Sequence, residues 1–269
     1  MKWIFDDLAR ACSRGVTSRY STSFSKAVNL LAPSIRQDVH NIYGFVRFAD
    51  EIVDTFHEQD KKCLLEEFET ETFEAVGRGL STNPIIHAYQ ITANLYNIDN
   101  TLLKAFFKSM KMDLYRLDYN DESFHEYIYG SAEVVGLMCL KIFTKGDDNM
   151  FQNLKGGAKA LGSAFQKVNF LRDMQEDFEE RGRSYFPGVD FLNFTQEQKV
   201  LIEHDISNDF KAARMAILSL PESSRVGVYL AYKYYLKLFK KIRQAPAEDI
   251  LKQRFRVPDI EKIYVLANT

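Results

Sequence analysis

Two acidic pentads lie far apart in the chain, Asp50-Glu51-Ile52-Val53-Asp54 and Asp173-Met174-Gln175-Glu176-Asp177. A helix turns about 100° per residue, so carboxylates four apart return to nearly the same face, one turn along. Each pentad therefore aims two acids at one spot, where like charges repel by roughly a few tenths of a kcal/mol unless a cation separates them. Oxygen-only ligands of this kind suit Mg²⁺, which keeps several waters and bridges carboxylates to the phosphates of a substrate.

The same spacing enlists neighbours. Tyr43, Arg47, Asp50 and Asp54 follow one helical face, and Gln166, Asn169, Asp173, Glu176 and Asp177 follow another. Val39, Ile42, Val46, Ala49 and Val53 surround the first stripe, and Leu161, Phe165, Val168, Leu171 and Met174 the second. One acidic pair on a surface helix is ordinarily a solvated face. Two helices that are apolar around most of their circumference, each with a narrow acidic stripe, are different. Buried charges have to be paired or metal-bound, so the stripes are expected to face each other across a cavity. Arg47, Arg172 and Arg183 suit an anion arriving with its metal ions, although each alone reads as an intrahelical salt bridge worth under about 1 kcal/mol. Tyr20-Ser21-Thr22-Ser23-Phe24 reads as a helix cap or as a phosphate-binding helix start.

The elements that must hold these residues are helices. Pro33-Ser34 opens one running to about Phe56, and Asn83-Pro84 opens another. The stretch from Asn97 to Asn100 separates that helix from one ending near Tyr115, and Asp121 to Lys145 carries a further apolar pattern. After a turn at Lys145-Gly146-Asp147-Asp148, a long helix reaches about Arg181. A helix from about Thr195 precedes one beginning at Pro221, and Pro246 and Pro258 break up the C-terminus. No stretch alternates as a half-buried strand would. The expected class is all-α. With no linker composition and no internal repeat, one domain over 1–269 is expected. Arg181-Gly182-Arg183-Ser184-Tyr185-Phe186-Pro187-Gly188 reads as a connector or as a lid over an anion.

Composition narrows the function. A net charge of -2 without a run of Lys and Arg lacks the footprint of a nucleic-acid binder. The start, Met1-Lys2-Trp3-Ile4-Phe5-Asp6-Asp7, is too acidic for a secretory signal, and no segment has the roughly 18 uninterrupted apolar residues of a membrane span. Cys12, Cys63 and Cys139 form no CxxC pair and read as reduced thiols, so a cytoplasmic protein is expected, with peripheral membrane contact at most. The five histidines show no helical metal spacing. The 21 Phe and 14 Tyr read first as core, and secondarily as walls that stabilise a carbocation while excluding water.

Taken in order, five segments resemble the squalene/phytoene synthase family of head-to-head prenyltransferases. They are Ser21-Thr22-Ser23-Phe24, Tyr43 through Asp54, Tyr129 through Gly136, Asn169 through Asp177, and Arg183-Ser184-Tyr185-Phe186-Pro187, with Arg256-Val257 following. They cover almost the whole chain, and the forms of the two acidic motifs look most like bacterial and plant phytoene synthases. One departure is Glu133, where many members carry Gly. The resemblance implies a single helical bundle of the isoprenoid synthase type with a central cavity. It implies that Asp50, Asp54, Asn169, Asp173 and Asp177 hold Mg²⁺, with Mn²⁺ as a substitute. It places Ser21, Ser23, Arg47, Gln166, Arg172, Tyr235 and Arg256 on the diphosphates of prenyl substrates, and Tyr43 and Tyr129 at the reacting region.

The implied reaction joins two geranylgeranyl diphosphates through a cyclopropyl diphosphate to phytoene, without a nicotinamide. Alternatives are a squalene or dehydrosqualene synthase using farnesyl diphosphate, a class I terpene cyclase, and a non-catalytic helical assembly factor. So apolar a product suggests release at a membrane, although no amphipathic anchor stands out in the sequence.

Overall fold

The computed structural model describes residues 1–115 and 118–267. The chain opens with α1 (Lys2–Tyr20) and α2 (Thr22–Asn29), separated at Ser21, whose extended backbone ends one helix while its hydroxyl caps the next. Pro33 starts α3 (Pro33–Asp54), where a missing N–H costs nothing. Then come α4 (Lys61–Arg78), α5 (Pro84–Leu95) and α6 (Asn100–Tyr115). The helix α4 carries no proline signal. The Asp60 carboxylate caps its start and Gly79, at φ 74°, its end.

The expected element over 121–145 is α7 (Asp121–Ile128), one π-helical turn (Tyr129–Glu133) and α8 (Val134–Thr144) in unbroken succession. By length and composition the run Asp121–Thr144 is apolar enough to cross a membrane, although charged residues interrupt it. It is instead a core element: 61% of its most apolar window is buried, and it packs on α3, α6 and the following helix. The long helix α9 (Asp148–Arg181) is capped by the Asp147 side chain and stopped by Gly182 at φ 63°. A short 3-10 turn (Phe191–Asn193) leads to α10 (Gln196–Leu218), α11 (Glu222–Gln244), α12 (Ala247–Ile250) and α13 (Asp259–Ala267). Among the described residues the only β pairing is an isolated bridge between Asp118 and Ser184.

The molecule is therefore all-α, as expected. One continuous apolar cluster draws on nearly every helix. Behind the first acidic motif, the buried Phe45 ring stacks on Tyr89 at 4.0 Å and meets Phe68, Phe106 and Phe107. This aromatic block fixes the rotation of α3 about its axis and so decides which way its polar stripe points. Helix α9 runs alongside α8 and α10 and also touches α11.

Candidate active site

Helices α2, α3, α8, α9 and α11 enclose a cavity of about 980 Å³. That is at the top of the roughly 300–1,000 Å³ range of small-ligand sites. One region of its wall is polar: Ser21, Ser23, Tyr43, Arg47, Asp50, Gln166, Asn169, Arg172, Tyr235, Arg254 and Arg256 all contribute. Elsewhere the wall is apolar, with Phe24, Val28, Leu31, Phe143, Leu161 and Leu238 among its residues. The two predicted stripes thus meet at one cavity through Asp50 and Asn169.

Asp54 and Asp173 are absent from that wall and are held by arginines. Asp173 receives a bidentate pair from Arg172, with Nε at 2.8 Å, and a second bond from Arg254 Nε at 2.9 Å. Arg254 Nη1 also reaches Glu176 at 2.8 Å. Asp54 pairs with Arg183 Nη1 at 3.4 Å. Arg183 donates to the Asp113 carbonyl at 2.6 Å and the Tyr185 hydroxyl at 3.2 Å, and its backbone N–H bonds the Asp177 carbonyl at 3.0 Å. Asp177 is itself buried beside this loop. Arg47 pairs with Glu51 rather than an aspartate, and its guanidinium lies 4.5 Å over the Tyr20 ring.

Electrostatics mark two of the acids. Burial raises the Asp50 carboxyl to about 7 despite Arg47, with Asp54 and Glu51 adding to the rise. Asp113, at the end of α6, is raised to about 8 by burial, which Arg183 only partly offsets and Asp54 reinforces. Its Oδ2 accepts from Tyr127, while its Oδ1 has no hydrogen-bond donor and lies 3.7 Å from Arg183. Burial also lifts the Tyr43 phenol to about 12, keeping it neutral. Asn169 Oδ1 accepts from Tyr235, whose ring stacks on Phe165 at 3.8 Å.

One expected site residue falls elsewhere. Tyr129 does not line the cavity; its half-buried ring lies under the Lys159 ammonium at 5.2 Å, and Ser131 and Ala132 form the wall at that turn. The loop after α9 is packed onto the body of the protein: Tyr185 and Phe186 are buried and Tyr185 stacks on Phe170 at 4.0 Å. Glu133 is accounted for by Lys159, 2.9 Å away on α9. Sequence reasoning missed Asp113 and Arg254. Asp113 belongs to no motif, and Arg254 reaches the second motif only because the C-terminal segment folds back onto α9.

A helical bundle around a cavity with a cationic, oxygen-rich region and an apolar remainder suits a ligand with an anionic head and a long apolar tail. Comparison with known proteins makes this specific. The squalene/phytoene synthase family model matches residues 17–213. The sequence is 26% identical to a phytoene synthase of Arthrospira platensis, over 94% of this chain and 89% of that protein. It is 25% identical to a 15-cis-phytoene synthase of a Paracoccus species, over 97% and 90%. Among solved structures, a dehydrosqualene synthase in complex with ligand superposes with TM-score 0.81 at 22% identity, covering 98% of this chain and 95% of that one. A squalene synthase from Alicyclobacillus acidocaldarius gives 0.74 at 21% identity, over 88% and 93%. The chain belongs to the squalene/phytoene synthase family and is a prenyltransferase with the isoprenoid synthase fold.

Proposed function

We propose that this enzyme condenses two molecules of geranylgeranyl diphosphate head to head to phytoene, a step of carotenoid biosynthesis. The observation that carries the reading is the large cavity in which Arg47, Arg172, Arg254 and Arg256 line the wall together with an extensive apolar lining. The phytoene synthases among the relatives support the longer prenyl chain.

The residues present fit Mg²⁺. The donors are all oxygen, and desolvation at the cavity wall holds the Asp50 carboxyl up at about 7 despite Arg47, a rise that a cation beside it would reverse. Among the described residues no three Asp, Glu, His or Cys side chains gather closely enough to cage an ion unaided. That suits an ion completed by water and diphosphate oxygens, with Asp50, Asp54, Asn169, Asp173 and Asp177 as the protein's share. The chemistry a bound Mg²⁺ supplies is neutralisation of the charge that develops on the leaving diphosphate.

The chain's own groups do the rest. Arg47, Arg172 and Arg256, with Ser21, Ser23 and Gln166, hold and orient the diphosphates. The C1–O bond of one substrate breaks, releasing diphosphate, and the allylic cation is attacked by the double bond of the second substrate. Loss of a proton closes a cyclopropane that still carries one diphosphate. Its ionisation, rearrangement and a second proton loss give the hydrocarbon, so no hydride donor is consumed. The neutral Tyr43 and the stacked Tyr235 and Phe165 present ring faces to the cations and keep water out.

The test is incubation with geranylgeranyl or farnesyl diphosphate and Mg²⁺, with chromatography of the product. Phytoene formed with Mg²⁺ or Mn²⁺ and unaffected by NADPH is expected. Turnover confined to farnesyl diphosphate, or a reduced product with NADPH, assigns the enzyme to squalene-type chemistry instead.

A further inference from the structure

Helix α13 has apolar residues on two sides. On one side Val265 and Leu266 pack against Ala27, Leu230 and Tyr234, and the Lys262 carbonyl accepts from the Tyr234 hydroxyl at 3.2 Å. Lys262, with Phe255, Val257 and Pro258 before it, also lines the cavity. The other side carries Ile260, Ile263 and Tyr264, which share a helical face and are 81%, 58% and 71% exposed.

Charge says what this face meets. Glu261 pairs with Lys237 at 3.1 Å and Lys241 at 3.8 Å, so α13 lies along a stripe of α11 that also holds Lys233 and Lys240. Residues 222–267 contain ten Lys and Arg against five Asp and Glu, in a chain whose net charge is -2. The C-terminal segment that ends in α13 is therefore net cationic, the remainder of the chain is acidic, and of these cations Lys237 and Lys241 stand directly beside α13. An exposed apolar helix face beside a lysine stripe matches an anionic lipid surface. It does not match a second copy of this chain, since a two-fold contact would bring like stripes together. The exposed Trp3, Ile4 and Leu8 on α1 stand beside Asp6 and Asp7 and lack this complementarity.

We propose that α13 docks the enzyme on an anionic bilayer, with Ile260 and Ile263 entering the acyl boundary and the lysines of α11 at the headgroups. The segment that forms one wall of the cavity then touches lipid on its outer side. A long hydrocarbon can pass from cavity to membrane with little exposure to water; that use rests on the proposed reaction, but the docking does not.

The test is flotation of the full chain with vesicles of phosphatidylcholine alone or with phosphatidylglycerol added. Binding to the anionic vesicles, released by high salt, is expected. Replacing both isoleucines (Ile260→Asp with Ile263→Asp) should weaken it about tenfold or more, and Lys240→Glu should weaken it less. A Tyr264→Trp reporter in a Trp3→Phe background keeps the face intact, and its emission should shift to the blue on the same vesicles. Equal binding by wild type and the double variant, an unshifted reporter, or no vesicle binding would each overturn the proposal. So would a dimer, seen by light scattering, that the double variant dissolves. None of these readouts uses a prenyl substrate, so their failure leaves the condensation reading intact.

Discussion

At the scale of single residues, the acids divide by what holds them. Asp54 and Asp173 are each paired with arginine at the edge of the cavity, so removing one charge there alters the site and not the core. Asp54→Asn and Asp173→Asn are expected to abolish turnover with the helical circular dichroism unchanged; near-normal rates in either would remove that aspartate from the metal site. Arg254 lines the cavity and ties the C-terminal segment to Asp173 and Glu176, so Arg254→Ala, which removes a cation from the wall that receives the anionic substrate, should raise KM roughly tenfold. An unchanged KM in steady-state kinetics would make that arginine a structural tie only.

Asp113 carries a pH prediction. Its pKa is 3.8 without the fold and about 8 within it, so between these values the folded state keeps a proton that the unfolded state has lost. The contribution is fully present below about 4 and disappears as pH rises through about 8, and Asp50 acts in the same direction up to about 7. Asp113→Asn keeps the shape without the charge. The difference in Tm between variant and wild type, measured by calorimetry with a chelator present, should grow in the variant's favour from pH 4 to 8. Parallel curves would show that the carboxyl is not held protonated.

At the scale of elements, the π-helical turn between α7 and α8 is irregular and closely packed. A Cβ at Gly130 would stand 2.4 Å from the Ala105 carbonyl oxygen and 2.7 Å from Ser109 Cβ, so α6 approaches the turn as closely as a bare backbone allows. Gly130→Ala should therefore destabilise by about 1–3 kcal/mol or more, the cost of overpacking, read as a lower urea midpoint. The sequence predicts one apolar helix across this region, which is correct in extent. The extra residue in the turn shows no periodicity signal, and it helps decide that Ser131 and Ala132, not Tyr129, face the cavity. The caps were easier to read: Pro33, Pro84 and Gly182 stand at element ends because their backbone chemistry permits little else.

At the scale of the whole molecule, cavity length sets which substrate fits. Val28 is buried, lines the apolar wall and lies one turn beyond Phe24 on α2. Val28→Phe should obstruct a C20 tail and move preference toward C15, since filled space costs about 1–3 kcal/mol. The ratio of kcat/KM for farnesyl and geranylgeranyl diphosphate in wild type and variant measures this. A ratio that stays constant in a folded variant would place the tail elsewhere.

Local chemistry determined what the sequence could tell by itself. Helical periodicity, the two acidic stripes and the apolar residues around them follow from spacing along one chain, so the all-α class and the polar faces of α3 and α9 were legible. Tertiary structure alone decided which acids reach the cavity wall, because the rotation of α3 is set by Phe45 packing among rings from α4, α5 and α6. It also decided that Arg254 meets Asp173 across 81 residues of chain, that Asp113 loses its water, and that α13 turns Ile260 and Ile263 outward. Each depends on burial and on contact between distant segments, which spacing along one helix does not encode.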